Sequence, residues 1–141
     1  PEAVKLPRAW LEEGSFDFSF SGLKTAVLRV IRERPGLALQ DLAASFQQAV
    51  IDVLVEKTIG AALKYGVPRV LLAGGVAANS SLRKGFIDKT TRLGLELYYP
   101  RREFCTDNAA MIASAGYFQY LAGEYAPWDL NAYARLDYNL R

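Results

Sequence analysis

A short apolar run that ends in two glycines constrains the fold of this chain more than any other feature. The run from Val70 to Ala73 has the length and the β-branched start of a buried strand, and Gly74 and Gly75 follow it directly. Asn79, which comes soon after them, is a good cap for the start of a helix. A strand that leads through a tight turn into a helix is the repeating unit of α/β proteins, so this run predicts that class of fold.

Periodic spacing in the rest of the chain predicts further helices and strands. Phe16, Phe18 and Phe20 alternate with polar residues, which is typical of a half-buried strand. We therefore expect, in order, an amino-terminal segment without regular structure over 1–14, a strand over 15–20, helices over 24–34 and 39–65, a fully buried strand over 69–73, a helix over 80–93, a strand over 96–99, a helix over 108–122 and an irregular tail from Glu124. Residues 15–141 should form a single α/β domain with a short, mostly parallel sheet.

The absence of histidine excludes several kinds of chemistry. The 141 residues include no His and one Cys, so this sequence can build neither a Ser-His or Cys-His relay nor a usual zinc site. Cys105 alone cannot form an internal disulfide, which suits a reducing compartment. No apolar run approaches the roughly 20 residues of a membrane span, and the first residues lack a secretory signal pattern. We therefore expect a cytoplasmic protein. The net charge of +2 is too small to indicate nucleic-acid binding by itself.

The turn from Gly74 to Asn79 is the first candidate site. Glycines let the backbone bend sharply and let a ligand approach closely, and a helix start offers free N–H groups and the positive end of its dipole. In open α/β sheets, ligands bind beyond the carboxyl ends of the strands. The pattern is neither Gly-x-Gly-x-x-Gly nor the Gly-Lys-Ser/Thr of a phosphate loop. The alternative is a tight turn in which Asn79 only caps the helix.

Asp107, at the predicted start of the next helix, is the second candidate. Either Thr106 or Asp107 should cap that helix, and capping alone would explain an acidic residue there. The functional alternative is a carboxylate that binds a metal ion or a ligand hydroxyl. Because Asn79 and Asp107 each follow a predicted strand, parallel pairing would let both line one pocket. We expect nearby Cys105 to pack in the core, since the chain has no His to activate it.

Charged residues elsewhere give weaker indications. Lys24 follows a turn and could reach an anionic ligand, but a solvated lysine is the simpler interpretation. Arg101 and Arg102 could form a basic surface together with cations of the preceding helix. Lys84 and Asp88 lie one helical turn apart, however, which is typical of an ordinary mixed charged face.

Four sequence blocks, taken together, resemble one family closely. They are Phe18-Ser19-Phe20-Ser21-Gly22-Leu23-Lys24-Thr25, then Ala44-Ser45-Phe46-Gln47, then Gly74-Gly75-Val76-Ala77-Ala78-Asn79-Ser80-Ser81-Leu82-Arg83, then Thr106-Asp107-Asn108-Ala109-Ala110-Met111-Ile112-Ala113. In this order they resemble the carboxyl-terminal half of the TsaD family, over about residues 7–140. A single Gly-Gly-Val turn would be weak evidence, whereas four ordered blocks are specific.

The resemblance implies a fold and an activity. The family has the two-lobed actin-like ATPase fold (ASKHA, RNase H-like), and this chain would be part of the carboxyl-terminal lobe. Its members transfer a threonylcarbamoyl group from threonylcarbamoyl-AMP to N6 of adenosine 37 in tRNA. The implied cofactors are ATP or threonylcarbamoyl-AMP and one divalent metal, and the implied partners are tRNA and proteins of the TsaB and TsaE types.

The resemblance also implies roles for individual residues. Gly74, Gly75 and Val76 match the turn that contacts the adenosine of the nucleotide. Asn79 matches a substrate-binding Asn, and Asp107 matches a ligand of the divalent metal, which is iron or zinc. The resemblance assigns no catalytic residue.

One part of the family's pattern is missing. The family's two metal-binding histidines form a His-x-x-x-His motif in the amino-terminal lobe, and this chain contains no His. One aspartate cannot hold a catalytic metal. The chain also begins at Pro1, and its one methionine is Met111. We therefore expect it to be about the second half of the enzyme and to be inactive alone.

Two other interpretations stay open. Carbamoyltransferases of hydrogenase maturation share the fold and a Gly-Gly-Val-x-x-Asn turn, but they carry Asp-Gly-Gly where this chain has Asp107-Asn108-Ala109. The second is a non-catalytic, partner-binding paralogue of the same fold, although such a protein would not need Asn79 and Asp107. The family's older description as a peptidase finds no support, since no peptidase nucleophile and no zinc site with a general-base Glu is recognisable.

Overall fold

The computed structural model of the chain describes residues 2–10 and 14–132. Its helices and strands follow in the order α1 (Ser21–Glu33), α2 (Leu39–Lys64), β1 (Arg69–Leu71), α3 (Ser80–Leu93), β2 (Glu96–Tyr98) and α4 (Ala109–Leu121). Short 3-10 turns follow β1 and β2, over Gly75–Ala78 and Arg102–Phe104. The chain divides between Thr106 and Asp107 into two compact units. Helix α4 belongs to the second unit, and the other elements belong to the first.

The predicted division into segments 1–14 and 15–141 stays a prediction. Residues 1, 11–13 and 133–141 lie outside the described residues, and they include parts of both predicted segments and of the predicted tail. Residues 2–10 have neither helix nor strand, as predicted, but Val4 and Leu6 pack in a buried cluster with α1 and α2. Val4 is buried, and its backbone N–H donates a hydrogen bond to Ser45 Oγ on α2 at 3.1 Å.

The two strands pair in parallel, as their spacing predicted. Val70 lies opposite Leu97, and Arg69 lies opposite Glu96. Parallel neighbours need a crossover connection, and α3 supplies it between β1 and β2. The α/β class and the short parallel sheet are therefore confirmed. The assignment to an actin-like lobe stays a prediction.

The prediction of a fully buried strand over 69–73 is wrong. The strand covers only Arg69–Leu71, and although Val70 is buried, Leu71 is 73% exposed. Successive side chains of a strand point to opposite faces, and α2 and α3 pack on the face that carries Val70. Among the described residues, the face that carries Leu71 is therefore exposed.

Helix α2 organises the first unit because both of its halves pack against other elements. Its carboxyl-terminal half joins β1 and α3 in a cluster of Ile51, Val55, Ile59, Ala62, Val70, Leu82 and Phe86. Its amino-terminal half joins α1 and the first residues in a cluster of Val4, Leu6, Leu23, Val30, Leu42 and Ala49. Gly85 lets α3 approach α2 closely, since a Cβ at that position would lie 3.2 Å from Ile51 Cγ2. These contacts fix the start of α3 relative to the sheet.

The helix ends lie close to their predicted positions. Helix α1 begins at Ser21 rather than at Lys24, and α2 and α3 end as predicted. Gly66 and Gly94, which follow them, have φ angles of +64° and +67°. This left-handed conformation is the common way for a helix to end, and glycine adopts it most easily. None of the helices in the described ranges has the length and apolarity to cross a membrane.

The cap predicted for the last helix is wrong by one residue. Asn108, and not Thr106 or Asp107, caps α4, because its Oδ1 accepts a hydrogen bond from the Met111 backbone N–H at 3.2 Å. Asn and Asp are about equally good caps, so sequence alone does not distinguish neighbouring candidates. Asp107 therefore lies just before the cap, outside the helix.

The strand predicted for residues 15–20 is also wrong. These residues pair with no strand among the described residues, although alternate side chains do contact α2 and its end. Phe16 packs edge-on against Tyr65 with ring centroids 6.0 Å apart, and Lys57 Nζ donates a hydrogen bond to the Asp17 carbonyl. An extended segment can place alternate aromatic side chains on a helix without a strand partner. Alternation of period two therefore indicated an extended backbone but not a sheet.

Candidate functional site

The turn after β1 has the sharp bend that its glycines predicted. Gly74 has a φ angle of +80°, which residues with a Cβ rarely adopt, and Gly75 begins the 3-10 turn that ends at Ala78. A Cβ on Gly75 would lie 3.8 Å from Thr106 Cγ2, which is an ordinary contact. The bend therefore requires a glycine at position 74, whereas neither the bend nor the packing of the described residues requires one at position 75.

Asn79 is engaged at both ends of its amide. Its Oδ1 accepts a hydrogen bond from the Leu82 backbone N–H at 3.0 Å, which confirms that it caps α3. Its Nδ2 donates to Gln47 Oε1 on α2 at 2.9 Å, a contact that the sequence did not predict. An amide NH2 group has two donors, so one N–H of Asn79 keeps no partner among the described residues. A cap and a ligand contact are therefore compatible roles.

Arg83 ties the glycine turn to the loop that follows β2. Its Nε donates a hydrogen bond to the Ala77 carbonyl in the turn. Its Nη2 donates to the Pro100 carbonyl at 2.8 Å and contacts Cys105 Sγ at 3.1 Å. The guanidinium carbon also lies 4.7 Å from the centroid of the Tyr99 ring, within the range of a cation–π contact. One side chain thus fixes the segments that follow both strands at the carboxyl edge of the sheet.

An open, mainly apolar cleft with a volume of about 210 Å³ lies beside the glycine turn. Its lining residues are Phe18, Leu54, Thr58, Leu71, Leu72, Ala73, Val76, Ala77, Leu82 and Phe86. Phe18 comes from the aromatic run and Val76 from the turn itself, and both are about half exposed or more. Apolar clefts with a few polar groups at their edge are the usual places where small ligands bind.

The weaker sequence candidates have ordinary structural roles. Cys105 is 1% exposed, which confirms the interpretation as a packed residue. Lys24 is exposed, in agreement with a solvated lysine. Lys84 pairs with Asp88 at 2.7 Å across one helical turn, which confirms a mixed charged face on α3.

Tyr98, Glu96 and Arg69 form a hydrogen-bonded group on the sheet. The Tyr98 hydroxyl donates to Glu96 Oε2 at 2.6 Å, and Arg69 Nε lies 3.3 Å from the same oxygen. These two donors, Tyr98 first, hold the pKa of the Glu96 carboxyl below its ordinary value of 4.5, and the Glu96 carboxylate raises the pKa of the Tyr98 hydroxyl. The group lies at the surface, with each side chain about half exposed or more, and follows from the pairing register of the strands, so it does not indicate a reaction site.

Comparison with known proteins decides the family. A family model described as TsaD: tRNA N6-adenosine threonylcarbamoyltransferase matches residues 2–114, a range that includes the glycine turn, Asn79, Arg83 and Asp107. The chain belongs to the TsaD family. The match also favours this family over the carbamoyltransferases of hydrogenase maturation.

Curated relatives of this TsaD-family chain carry the same description. The tRNA N6-adenosine threonylcarbamoyltransferase of Moorella thermoacetica is 51% identical, over 99% of this chain and 42% of that protein. The protein of that name from Symbiobacterium thermophilum is 56% identical, over 94% of this chain and 39% of the relative. The protein of that name from Desulfitobacterium hafniense is 50% identical, over 94% of this chain and 40% of the relative. The chain thus spans about two fifths of the length of the curated relatives it matches.

The sequence blocks that indicated the TsaD family meet around the glycine turn of the first unit. Phe18 of the first block lines the cleft, and Gln47 of the second block binds Asn79 of the third. Thr106, which opens the fourth block, places its methyl group close to the turn. Asp107 of that block begins the second unit, so the prediction that it lines one pocket with Asn79 stays a prediction.

The residues described for this TsaD-family chain do not make a metal centre by themselves. Over 2–10 and 14–132, no group of three or more His, Cys, Asp or Glu side chains could hold a metal ion. Asp107 is exposed and makes no hydrogen bond or ion pair with another described residue. Because Asn108 caps α4, capping does not explain an acidic residue at 107. The role of Asp107 as a metal ligand therefore stays a prediction.

Proposed function

We propose that the protein containing this chain transfers a threonylcarbamoyl group from threonylcarbamoyl-AMP to N6 of adenosine 37 in tRNA. The observation that carries the proposal is the family match over residues 2–114, since that range includes every residue to which the resemblance gives a role. The name of the curated relatives describes the same transfer, to N6 of adenosine in tRNA. The activity is proposed for the complete protein. The 141-residue chain alone, which has no His to complete a metal site, is expected to be inactive.

The proposal includes a nucleotide, a metal and partner proteins. Gly74, Gly75 and Val76 would back the adenosine of ATP or threonylcarbamoyl-AMP in a cleft between two actin-like lobes. Asn79 would bind the substrate with the amide N–H that its hydrogen bond to Gln47 leaves unused. Asp107 would supply one ligand to a divalent iron or zinc ion. Besides tRNA, proteins of the TsaB and TsaE types would be partners, and the reaction would take place in the cytoplasm.

Gly75 supports a nucleotide at this turn. Its φ angle is not in the left-handed region, and a Cβ there would make only an ordinary contact with Thr106. The glycine is therefore explained neither by the local backbone nor by the packing of the described residues. A group that approaches the backbone closely from outside would explain it, and an adenylate is such a group.

Gly75→Ala in the complete protein should weaken ATP binding by about tenfold or more, the effect of one misplaced methyl group in a fitted site. The free energy of unfolding should change by less than about 1 kcal/mol, because the new Cβ fits against Thr106. Calorimetric titration with ATP and denaturant unfolding measure the two quantities. Gly36→Ala, in a loop where a Cβ meets no atom within 4 Å, is the matched control and should change neither. An unchanged ATP affinity in Gly75→Ala would contradict the placement of the nucleotide.

Substitutions of Asn79 separate its role as a cap from its proposed role in binding. Asn79→Ala removes the capping oxygen and should lower the free energy of unfolding by about 1 kcal/mol. Asn79→Ser keeps a capping oxygen and should leave the stability nearly unchanged. Neither variant has the amide N–H, so both should raise the KM for the nucleotide substrate in a steady-state assay. If Asn79→Ser has the wild-type KM, Asn79 is a cap only.

The proposed function is tested with the complete protein, its TsaB- and TsaE-type partners, threonylcarbamoyl-AMP and a tRNA that has adenosine at position 37. After digestion to nucleosides, mass spectrometry should detect threonylcarbamoyl-adenosine. A transcript with guanosine at position 37 is the control and should yield none. Absence of the product from the adenosine transcript, with all components present, would contradict the proposal.

A further inference from the structure

Two neighbouring arginines lie exposed on the loop that follows β2. The Arg101 side chain is 84% exposed, and its ion pair with Glu103 is long, with Nη1 and Oε1 3.8 Å apart and both groups in solvent. Such a pair stabilises a protein little and leaves the cation available. The Arg102 side chain is exposed and has neither a hydrogen bond nor an ion pair with the rest of the described chain. We call these two residues the arginine pair.

Two lysines of α3 are already paired with carboxylates. Lys84 Nζ lies 2.7 Å from Asp88 Oδ2. Lys89 Nζ lies 2.7 Å from Glu56 Oε1 on α2. The arginine pair thus differs from Lys84 and Lys89 in having charge without a close carboxylate partner. Of the basic surface that the sequence suggested, the arginine pair and the exposed Arg92 are therefore the cations that can meet an anion from outside.

The position of the arginine pair follows from the clamp that Arg83 makes. The hydrogen bonds that Arg83 donates to the Ala77 and Pro100 carbonyls place the start of this loop against the glycine turn. The carboxyl ends of parallel strands lie at one edge of a sheet, and that is where ligands of α/β sheets bind. Helix α3 runs back from this edge for 14 residues, about 20 Å, so Arg92 in its last turn lies far from it.

An aromatic residue accompanies the arginine pair. Tyr99 packs against the Arg83 guanidinium and still has 42% of its surface exposed. Arginines beside exposed aromatic rings are the usual means of binding unpaired RNA, because the cations meet phosphates and the rings stack on bases. The loop after β2 has both kinds of side chain.

We propose that the arginine pair binds backbone phosphates of the tRNA next to the adenosine that is modified. The inference rests on the proposed function: if the adenylate lies at the glycine turn, the RNA must approach the same edge of the sheet. Guanidinium groups suit this role because they remain charged and bind phosphate oxygens through two parallel hydrogen bonds. The arginine pair therefore contributes to tRNA affinity and not to nucleotide affinity.

The test uses the complete protein with both arginines replaced, as Arg101→Gln/Arg102→Gln. Its Kd for unmodified tRNA, measured by fluorescence anisotropy at several salt concentrations, should rise about tenfold. The slope of log affinity against log salt should become shallower by about 1 to 2, since two phosphate contacts are lost. The affinity for ATP should stay at the wild-type value. A loss of ATP affinity with unchanged tRNA affinity would overturn the inference, because the pair would then bind the nucleotide's phosphates.

A second double variant controls for net charge. Lys84→Gln/Lys89→Gln removes an equal number of positive charges from α3, where carboxylates already pair with them, and should leave tRNA binding nearly unchanged. Equal weakening by both double variants would overturn the inference in favour of a general charge effect. Wild-type tRNA binding by the arginine double variant would overturn it as well, while the proposed function would stand. If the wild-type protein neither binds nor modifies tRNA, both are overturned.

Discussion

The complete protein carrying Asp107→Asn should form at least about 100-fold less threonylcarbamoyl-adenosine than the wild type. Loss of a group that only supports a metal ligand commonly costs about 10- to 100-fold in metal affinity or activity, and loss of a ligand should cost more. The fold should be unchanged, because Asn108 caps α4 and Asp107 has no hydrogen bond or ion pair within the described chain. Mass spectrometry of tRNA nucleosides measures the product, and metal analysis of the purified protein measures bound iron and zinc.

Asp129→Asn is the matched control for this prediction. Asp129 is exposed and lies in the same compact unit, so the same loss of charge there should leave both the product and the metal content at wild-type values. Wild-type product from Asp107→Asn would show that the metal role is wrong. Normal metal content with lost activity would instead give Asp107 a role in substrate binding.

Structural features with a local cause could be predicted from the sequence. Asn79 as the cap of α3 and Gly94 as its end could be predicted, since a cap and a left-handed glycine act within one turn of the helix. Parallel pairing of the strands could also be predicted, because a strand, a helix and a second strand leave few other arrangements. The glycine turn is also a local feature, because the φ angle of +80° at Gly74 favours glycine at that position.

Features that depend on a partner far along the chain could not be predicted from the sequence. The aromatic alternation of residues 15–20 did not reveal that its contacts would be with α2 instead of another strand. The hydrogen bond between Asn79 and Gln47 joins two family blocks, but spacing along the sequence does not show which distant side chains meet. The cap of α4 could not be predicted for a different reason. Asp107 and Asn108 are adjacent in the sequence, and their side chains are about equally good helix caps.

Arg83→Met in the complete protein should lower the free energy of unfolding of the first unit by about 2–4 kcal/mol. Methionine has a similar length but cannot donate to the Ala77 and Pro100 carbonyls, and hydrogen bonds from charged donors contribute about 1.5–3 kcal/mol each. The cation–π contact with Tyr99 is lost as well. Hydrogen exchange should show faster exchange at the Cys105 backbone N–H, which the 3-10 turn protects through its bond to the Arg102 carbonyl.

Arg83→Lys tests whether the planar guanidinium group of Arg83 or only its positive charge matters, and Arg92→Met is the control for a cation on the same helix. Arg83→Lys keeps the charge but cannot reach two carbonyls and a ring together, so it should recover little of the lost stability. Arg92→Met, an exposed position in the last turn of the same helix, should cost less than about 1 kcal/mol, the value of a cation near a helix end. Wild-type protection of the Cys105 backbone N–H in Arg83→Met would contradict the proposed clamping role of Arg83.

Because the hydrogen bonds of Arg83 fix the loop of the arginine pair against the glycine turn, Arg83→Met should also weaken tRNA and ATP binding together. The arginine double variant, in contrast, should affect tRNA alone.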